Sequence, residues 1–157
     1  MLKHSEHGQV LHIQMNRPPA NAMNLDFVET LTAAHADACA SEARTIVLSG
    51  LEGMFSGGLD VPELLPQTRP EILDFWNAFF LLMNRIASSP VPVIAAVTGH
   101  SPAGGAVLAI HCDYRVAAAG RFKIGLNEVQ VGLPVPHTIL LAFERLVGSH
   151  RAAVLAT

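Results

Sequence analysis

Apolar and polar residues alternate in short runs along this chain, and between those runs apolar residues recur every three or four positions. The alternation over 10–15 predicts a half-buried strand. Two prolines, Pro18 and Pro19, follow this strand and end it. Short β-branched and aliphatic runs between turn residues predict further buried strands at 45–48, 93–97 and 114–118. Strands and helices therefore alternate, which is typical of α/β proteins.

Helical spacing is most regular over 70–88, and Pro90 ends this segment. Its aromatic cluster is typical of a core or subunit contact: Phe75, Trp76, Phe79 and Phe80. The segment 51–60 is predicted to be a loop. Further helices are predicted from an Asn24 N-cap toward Ala38, from a glycine-rich turn at 99–105 to about His111, over about 136–146, and up to Thr157.

Composition limits the class of protein. With 157 residues, 50% hydrophobic and 15% charged, the chain is long enough to bury one core, so we expect a single domain over 1–157. A net charge of −3 and the lack of any basic run argue against a nucleic-acid partner. The apolar stretch 91–119 is interrupted by prolines and polar residues, which argues against a membrane span. A small-molecule partner is the expectation.

Cysteine, histidine and targeting patterns add little chemistry. Cys39 and Cys112 have no CxxC spacing and are expected to be reduced packing residues. The eight histidines are scattered without the spacing of metal ligands, so no metal is expected. The first residues show neither a signal peptide nor a transit peptide, which predicts a cytoplasmic location.

Two glycine-rich loops are the first candidate chemistry. They lie at 55–60 and 99–105, and an acidic residue, Glu128, stands in a third turn. Glycine permits close approach of the backbone to a ligand. Where such a turn opens a helix, unpaired N–H groups and the helix dipole favour a developing anion. Either loop alone is adequately explained as a tight turn, but the three segments together favour an anion-stabilising site with an acid or base.

Six ordered motifs occur along the chain: Asn-Arg-Pro-Pro to Asn-Ala-Met-Asn at 16–24, Phe-Ser-Gly-Gly-Leu-Asp at 55–60, Pro-Val-Pro-Val-Ile-Ala-Ala-Val at 90–97, Pro-Ala-Gly-Gly-Ala at 102–106, Cys-Asp-Tyr-Arg-Val at 112–116 and Ile-Gly-Leu-Asn-Glu-Val at 124–129. In these motifs the chain resembles the enoyl-CoA hydratase/isomerase (crotonase) family. The resemblance implies an α/β fold built as a spiral of strand-strand-helix turns and an acyl-CoA substrate, with CoA entering as part of the thioester and no separate cofactor. It also implies a homotrimer or hexamer, and a C-terminal helical region that we expect to be missing from this chain.

The family's functional positions carry over by motif. The resemblance implies that the backbone N–H groups of Leu59 and Gly104 hold the thioester oxygen. The positions that match the CoA site are Arg17, Ala20, Ala22, Gly57 and Val61. The aromatic cluster on the long helix is then also a candidate wall for an acyl channel.

One departure from the hydratase pattern bears on the reaction. Hydratases in this family carry two glutamates, and the first of these positions is Val107 here. No Asp or Glu occurs between Asp74 and Asp113, so no near neighbour substitutes for it. The second glutamate matches Glu128. A single carboxylate beside an anion-stabilising site can still move a proton along an acyl chain, so the pattern favours Δ3-Δ2-enoyl-CoA isomerase chemistry with Glu128 as the base.

Alternatives from other classes stay open at this point. Hydration or another reaction of the family is one. The segment around Ser101 resembles a hydrolase nucleophile elbow, with Asp113 and His137 as the remaining triad members, although Ala103 replaces the final glycine. A non-catalytic scaffold that binds CoA esters is the third.

Overall fold

The computed structural model describes residues 1–156; Thr157, the last residue of the predicted C-terminal helix, lies outside them. The strands are β1 Leu2–His7, β2 Val10–Met15, β3 Thr45–Ser49, β4 Gly53–Met54, β5 Val93–Val97, β6 Gly99–Pro102, β7 Tyr114–Ala117 and β8 Ile124–Gly125. The helices are α1 Leu25–Ala40, α2 Val61–Leu64, α3 Arg69–Ala87, α4 Gly104–His111, α5 His137–Val147 and α6 Ser149–Leu155, with a 3₁₀ turn at Val129–Val131.

The strands form two sheets. The large sheet has the order β1-β2-β3-β5-β7, in which β1 and β2 are antiparallel and the other pairs are parallel. The small sheet has the order β4-β6-β8 and is parallel throughout. Parallel neighbours need a crossover between them. The crossover from β2 to β3 contains α1, whereas the crossovers from β3 to β5 and from β5 to β7 contain β4 and β6 of the small sheet.

A strand-strand-helix unit therefore repeats along the chain. In the first turn β3 and β4 lead to α2 and α3, in the second β5 and β6 lead to α4, and in the third β7 and β8 lead to α5. The first strand of each unit joins the large sheet and the second joins the small sheet. The predicted α/β spiral of strand-strand-helix turns is confirmed.

The core lies between one face of the large sheet and helices α1 and α3. Alternate residues of the strands point to that face, so Ile13, Leu48 and Ala95 are fully buried. The helices meet them with Phe27 and Phe75, both also fully buried. Burial of a side chain of this size contributes roughly 1.5–3 kcal/mol. This packing is the frame that holds the loops described below.

Most predicted elements are confirmed, and the N-cap is among them. The Asn24 side chain accepts a hydrogen bond from the Phe27 amide at 2.9 Å, as an N-cap should. The prediction of an unbroken loop over 51–60 is wrong at β4, and the predicted turn over 99–105 contains β6. Strand β1 and helix α2 were not predicted. Within residues 1–156, no helix combines the length and the apolar character needed to cross a membrane.

Candidate active site

A cavity of about 300 Å³ lies beside the three glycine-containing turns. Among the described residues that line it, only Asn127 and Glu128 carry a side-chain oxygen. Its lining residues are Gly57, Leu59, Val61, Trp76, Phe79, Ala103, Gly104, Val107, Asn127, Glu128, Leu133, Pro134, Pro136 and Ile139. The cavity is therefore an apolar space with a small polar part.

The small sheet brings the polar part together. Leu59 follows β4, Gly104 follows β6 and Glu128 follows β8, and these strands are neighbours in the order β4-β6-β8. The carboxyl ends of parallel strands lie at one edge of a sheet, where α/β proteins commonly bind ligands. The three residues are 24 or more positions apart in sequence and line one cavity.

The peptide between Gly58 and Leu59 is held in one orientation. The Gly58 carbonyl accepts a hydrogen bond from the Met23 amide at 2.8 Å, and the Asp60 amide donates to the Met23 carbonyl at 2.9 Å. In a trans peptide the N–H points opposite to the C=O, so the Leu59 N–H points away from Met23. This N–H donates to no atom of residues 1–156, and it is free to serve a ligand.

The Gly104 amide is held in a similar way. Its peptide partner, the Ala103 carbonyl, accepts from the Val107 amide at 2.9 Å in the first turn of α4, and the Ala103 amide donates to the Gly125 carbonyl at 2.9 Å. The Gly104 N–H therefore points out of the helix N-terminus, where the helix dipole favours negative charge. Within the described chain it also has no acceptor. Ala103 takes a positive φ of 46° to make this turn.

The two candidate donors approach each other closely because glycine stands at both loops. Gly58 has a φ of +89°, and a Cβ atom on it would lie 3.1 Å from the Ala103 Cβ and 3.2 Å from the Gly104 nitrogen. A Cβ on Gly104 would lie 3.3 Å from the Gly58 Cα. A side chain at either position would push the loops apart.

Glu128 supplies the carboxylate of the site. Its backbone is fixed by the turn that follows, since its carbonyl accepts from the Leu133 amide at 2.9 Å. Its Oε2 atom is buried and has no hydrogen-bond partner among residues 1–156, and the same holds for Oδ1 of Asn127. A buried oxygen without a partner is costly, so both oxygens are ready to meet a group that enters the cavity.

The walls around this polar part are apolar. Val107 on α4 is almost completely buried and lines the cavity. By the motif resemblance described above, this is the position of the first glutamate of the hydratases. Trp76 and Phe79 of α3 line the cavity as well, so two members of the aromatic cluster face this space. Among the described lining residues Glu128 is the one carboxylate.

The predicted CoA-binding residues fall into two groups. Gly57 and Val61 line the cavity, whereas Arg17, Ala20 and Ala22 do not. The Gly57 amide donates to the Ala20 carbonyl at 2.7 Å, which joins the two loops. The Arg17 guanidinium donates to the Ala22 carbonyl at 2.8 Å. Backbone groups of these alanines therefore already bond within the protein.

Arg17 is also held by two carboxylates. Its guanidinium lies 2.7 Å from Oδ2 of Asp60 and 3.0 Å from Oε2 of Glu63. Asp60 in turn accepts from the Glu63 amide at 3.4 Å as the N-cap of α2. The side chain of Arg17 thus fastens its loop to α2.

Ser101, Asp113 and His137 are not arranged as the hydrolase alternative requires. Ser101 lies within β6, is fully buried, and its Oγ has no hydrogen-bond partner among residues 1–156. Asp113 instead accepts from the Val93 amide at 2.8 Å and anchors a turn, and His137 is the first residue of α5. The three side chains do not form a triad.

Three buried or half-buried groups outside the cavity lining have shifted pKa values. Burial raises the pKa of the Cys112 thiol to about 12. Burial lowers the pKa of His111, whose Nδ1 donates to the Val107 carbonyl at 2.8 Å. Burial, followed by the charge of Arg85, lowers the pKa of His35. Among the described residues, no group of three or more His, Cys, Asp or Glu side chains is placed to hold a metal ion.

Sequence reasoning missed several residues that matter here. Asn127 lines the cavity, and Asn21 and Ser56 lie behind the first loop with no exposed surface. The adjacency of Asn127 to Glu128 was the available signal for it. A buried polar residue such as Asn21 gives no periodic signal, because its role depends on contacts with distant segments.

Comparison with known proteins identifies the family to which this chain belongs. The chain is 33% identical over 144 residues to human mitochondrial enoyl-CoA delta isomerase 1, covering 90% of this chain and 47% of the relative. It superposes on the crystal structure of human mitochondrial delta3-delta2-enoyl-CoA isomerase with a TM-score of 0.93 at 29% identity, covering 98% of this chain and 61% of that one. An enoyl-CoA hydratase from Bacillus anthracis gives a TM-score of 0.91 at 26% identity, covering 99% and 61%.

The chain spans about half the length of the curated human relative that it matches. Residues 5–157 match the family described as enoyl-CoA hydratase/isomerase. With the spiral fold and the superpositions, this match shows that the chain belongs to the enoyl-CoA hydratase/isomerase family.

Proposed function

We propose that this chain carries the catalytic residues of an enoyl-CoA isomerase, which shifts the double bond of a 3-enoyl-CoA to give the 2-enoyl-CoA. The observation that carries the proposal is that Glu128 is the one carboxylate among the described lining residues, and that its Oε2 is buried without a hydrogen-bond partner within residues 1–156. Val107 at the position of the hydratases' first glutamate supports isomerisation over hydration, because water addition uses one group to activate water and another to handle the substrate proton.

The proposed reaction gives each of these groups a role. The Glu128 carboxylate removes a proton from C2 of the thioester, and the electrons move into the carbonyl to give a dienolate. The N–H groups of Leu59 and Gly104 donate to the enolate oxygen and stabilise its charge in an apolar cavity. The protonated Glu128 then returns the proton to C4, which leaves the double bond between C2 and C3. No atom is gained or lost, and the base is regenerated.

The CoA part of the substrate is proposed to lie along the loops that carry Gly57 and Val61, beside the segment that holds Ala20 and Ala22. Arg17 supports this surface through its bonds to Asp60 and Glu63. The acyl chain is proposed to extend along the aromatic wall. The thioester supplies its own activation, so no separate cofactor is proposed. A homotrimer or hexamer and a cytoplasmic location stay predictions.

The test is a comparison of two substrates. A 3-enoyl-CoA is scored for migration of the double bond, and a 2-enoyl-CoA is scored for hydration. We expect migration without hydration. Hydration as the main activity would refute the isomerase proposal in favour of the hydratase alternative, and binding of both esters without turnover would favour the non-catalytic scaffold.

The Glu128→Gln variant tests the base. General acid-base catalysis by a positioned side chain contributes about 10²–10⁴ in rate, and we expect a loss of this size. Glu144→Gln is the matched control, because Glu144 is a partly buried glutamate of α5 that does not line the cavity. Full isomerisation by Glu128→Gln would show that the assigned base is wrong.

A further inference from the structure

Two buried polar side chains, Asn21 and Ser56, lie behind the loop that carries Leu59. Both have no exposed surface, and neither lines the cavity. The Ser56 hydroxyl donates to the Asn21 carbonyl at 2.8 Å and accepts a hydrogen bond from the Gly58 amide at 3.2 Å. One hydroxyl therefore joins the loop at 17–24 to the residue that precedes Leu59.

Both polar atoms of the Asn21 side chain form hydrogen bonds to the backbone around the same loop. Its Nδ2 donates to the Phe55 carbonyl at 2.9 Å and to the Met15 carbonyl at 3.2 Å, and its Oδ1 accepts from the Arg17 amide at 2.7 Å. It adopts a φ of +49°, which is uncommon for a residue with a side chain. These bonds stabilise the strained backbone, and they fix the carbonyl to which Ser56 donates.

The peptide units on both sides of Gly58 are consequently fixed. Its N–H is bound by Ser56, and its C=O is bound by the Met23 amide at 2.8 Å. Gly58 has no side chain and a φ of +89°, so without these bonds it would be free to rotate. Rotation there turns the Leu59 N–H, because that N–H belongs to the same peptide unit as the Gly58 carbonyl.

We propose that Asn21 and Ser56 are positioning residues that set the direction of the Leu59 N–H toward the enolate oxygen. This inference rests on the proposed function, since it takes Leu59 as a donor to the thioester. Neither side chain lines the cavity in which we propose that the substrate binds. Their effect is expected on the stabilisation of the enolate rather than on binding of the ester, because a donor in the wrong direction loses most of its strength.

The test uses Ser56→Ala and a matched control. Ser49→Ala removes another buried hydroxyl with one short hydrogen bond, 2.7 Å to Nε2 of His12, on the large sheet and outside the cavity. Ser56→Cys is the milder second variant, because it keeps the side-chain shape while weakening both hydrogen bonds. Thermal melting and circular dichroism identify the variants that fold.

Two readouts separate positioning from stability. For Ser56→Ala we expect kcat for isomerisation to fall by about 10- to 100-fold, less than the roughly 10²–10³ that a whole donor is worth, with KM nearly unchanged. The second readout is the infrared carbonyl stretch of a bound, isotopically labelled saturated acyl-CoA. In the wild-type and Ser49→Ala proteins it should move to lower frequency than in water, and in Ser56→Ala this shift should be largely lost.

The outcomes decide between the ideas. If Ser56→Ala and Ser56→Cys melt earlier but keep the kcat and the infrared shift of Ser49→Ala, the residues are merely structural and the positioning proposal is overturned. If the wild-type protein shows the infrared shift without isomerising, the proposed reaction is wrong and the infrared comparison alone tests positioning. If the wild-type protein shows no shift, the positioning proposal fails with the donor assignment. If Ser56→Ala does not fold, Ser56→Cys gives the same comparison.

Discussion

Gly58→Ala gives the sharpest test of the contact between the two loops that carry the candidate donors Leu59 and Gly104. Gly53→Ala is its control. Both glycines have positive φ, +89° and +74°, so alanine is strained at either position. The strain costs about 1–2 kcal/mol. At roughly 2–4 °C per kcal/mol for a domain of this size, each variant should lose about 2–8 °C in melting temperature.

The two variants should differ in activity. A Cβ on Gly53 has nothing within 4 Å, whereas a Cβ on Gly58 would lie 3.1 Å from the Ala103 Cβ and 3.2 Å from the Gly104 nitrogen. Ordinary contact begins at 3.4 Å, so the loops must part by a few tenths of an ångström. Donors to an enolate work at about 2.7–3.1 Å, and loss of one costs about 10²–10³ in rate. We therefore expect kcat of Gly58→Ala to fall at least about 10-fold, which is about 1.4 kcal/mol of transition-state stabilisation.

The assay is kcat for a 3-enoyl-CoA, measured on folded protein well below the melting temperature of each variant. Gly53→Ala should keep the wild-type kcat despite its lower melting temperature. Equal kcat values for the two variants would refute the reasoning, because they would show that the approach of the two loops has no part in catalysis.

Three further predictions concern groups outside the reaction. The free energy of unfolding should fall as the pH drops below 6.5, the ordinary pKa of histidine, because burial lowers the pKa of His35 and His111 and the unfolded chain then binds more protons. Urea midpoints on both sides of pH 6.5 measure this, and a flatter dependence is expected when both residues are replaced by Gln. An alkylating reagent should label Cys39 in the folded protein and Cys112 only after unfolding, since the pKa of Cys112 is about 12; equal rates would contradict this. Ser101→Ala should keep isomerase activity, and a fluorophosphonate should not label Ser101, which is fully buried; labelling there would revive the hydrolase alternative.

The long amphipathic elements could be predicted from the sequence because their own pattern determines them. The helix predicted at 70–88 is α3, Arg69–Ala87, and its periodic apolar residues are the ones buried in the core. Strand β1, Leu2–His7, could not be predicted, because five of its six side chains are exposed. It forms through backbone pairing with β2, from Leu2 opposite Met15 to His7 opposite Val10, and such pairing leaves no hydrophobic signal.

The small sheet shows a different limit. Glycine at 53 and 99 suggests turns, yet these residues pair between β4 and β6. A Cβ on Gly99 would lie 1.9 Å from the Gly53 carbonyl carbon, so glycine is required there by the closeness of two backbones. Sequence composition reports the absence of a side chain but not which distant segment makes it necessary.

The proposed catalytic residues of the candidate site could be predicted from the sequence, whereas the residues that hold its loops in place could not. Leu59, Gly104 and Glu128 were found through motifs, whereas their common cavity follows from the order of the small sheet. Asn21 was not found, because the hydrogen bonds of its side chain reach segments up to 34 positions away.

The small sheet also bears on how such a site changes during evolution. The separation between the proposed base and the two proposed donors is set by backbone pairing of β4, β6 and β8, whose neighbours lie about 4.8 Å apart in any parallel sheet. A wall residue such as Val107 can therefore be exchanged without moving the groups that we propose to hold the enolate. A new reaction needs a local change on a scaffold that stays constant, and proteins named as a hydratase and as an isomerase indeed share this scaffold at TM-scores of 0.91 and 0.93 to the present chain.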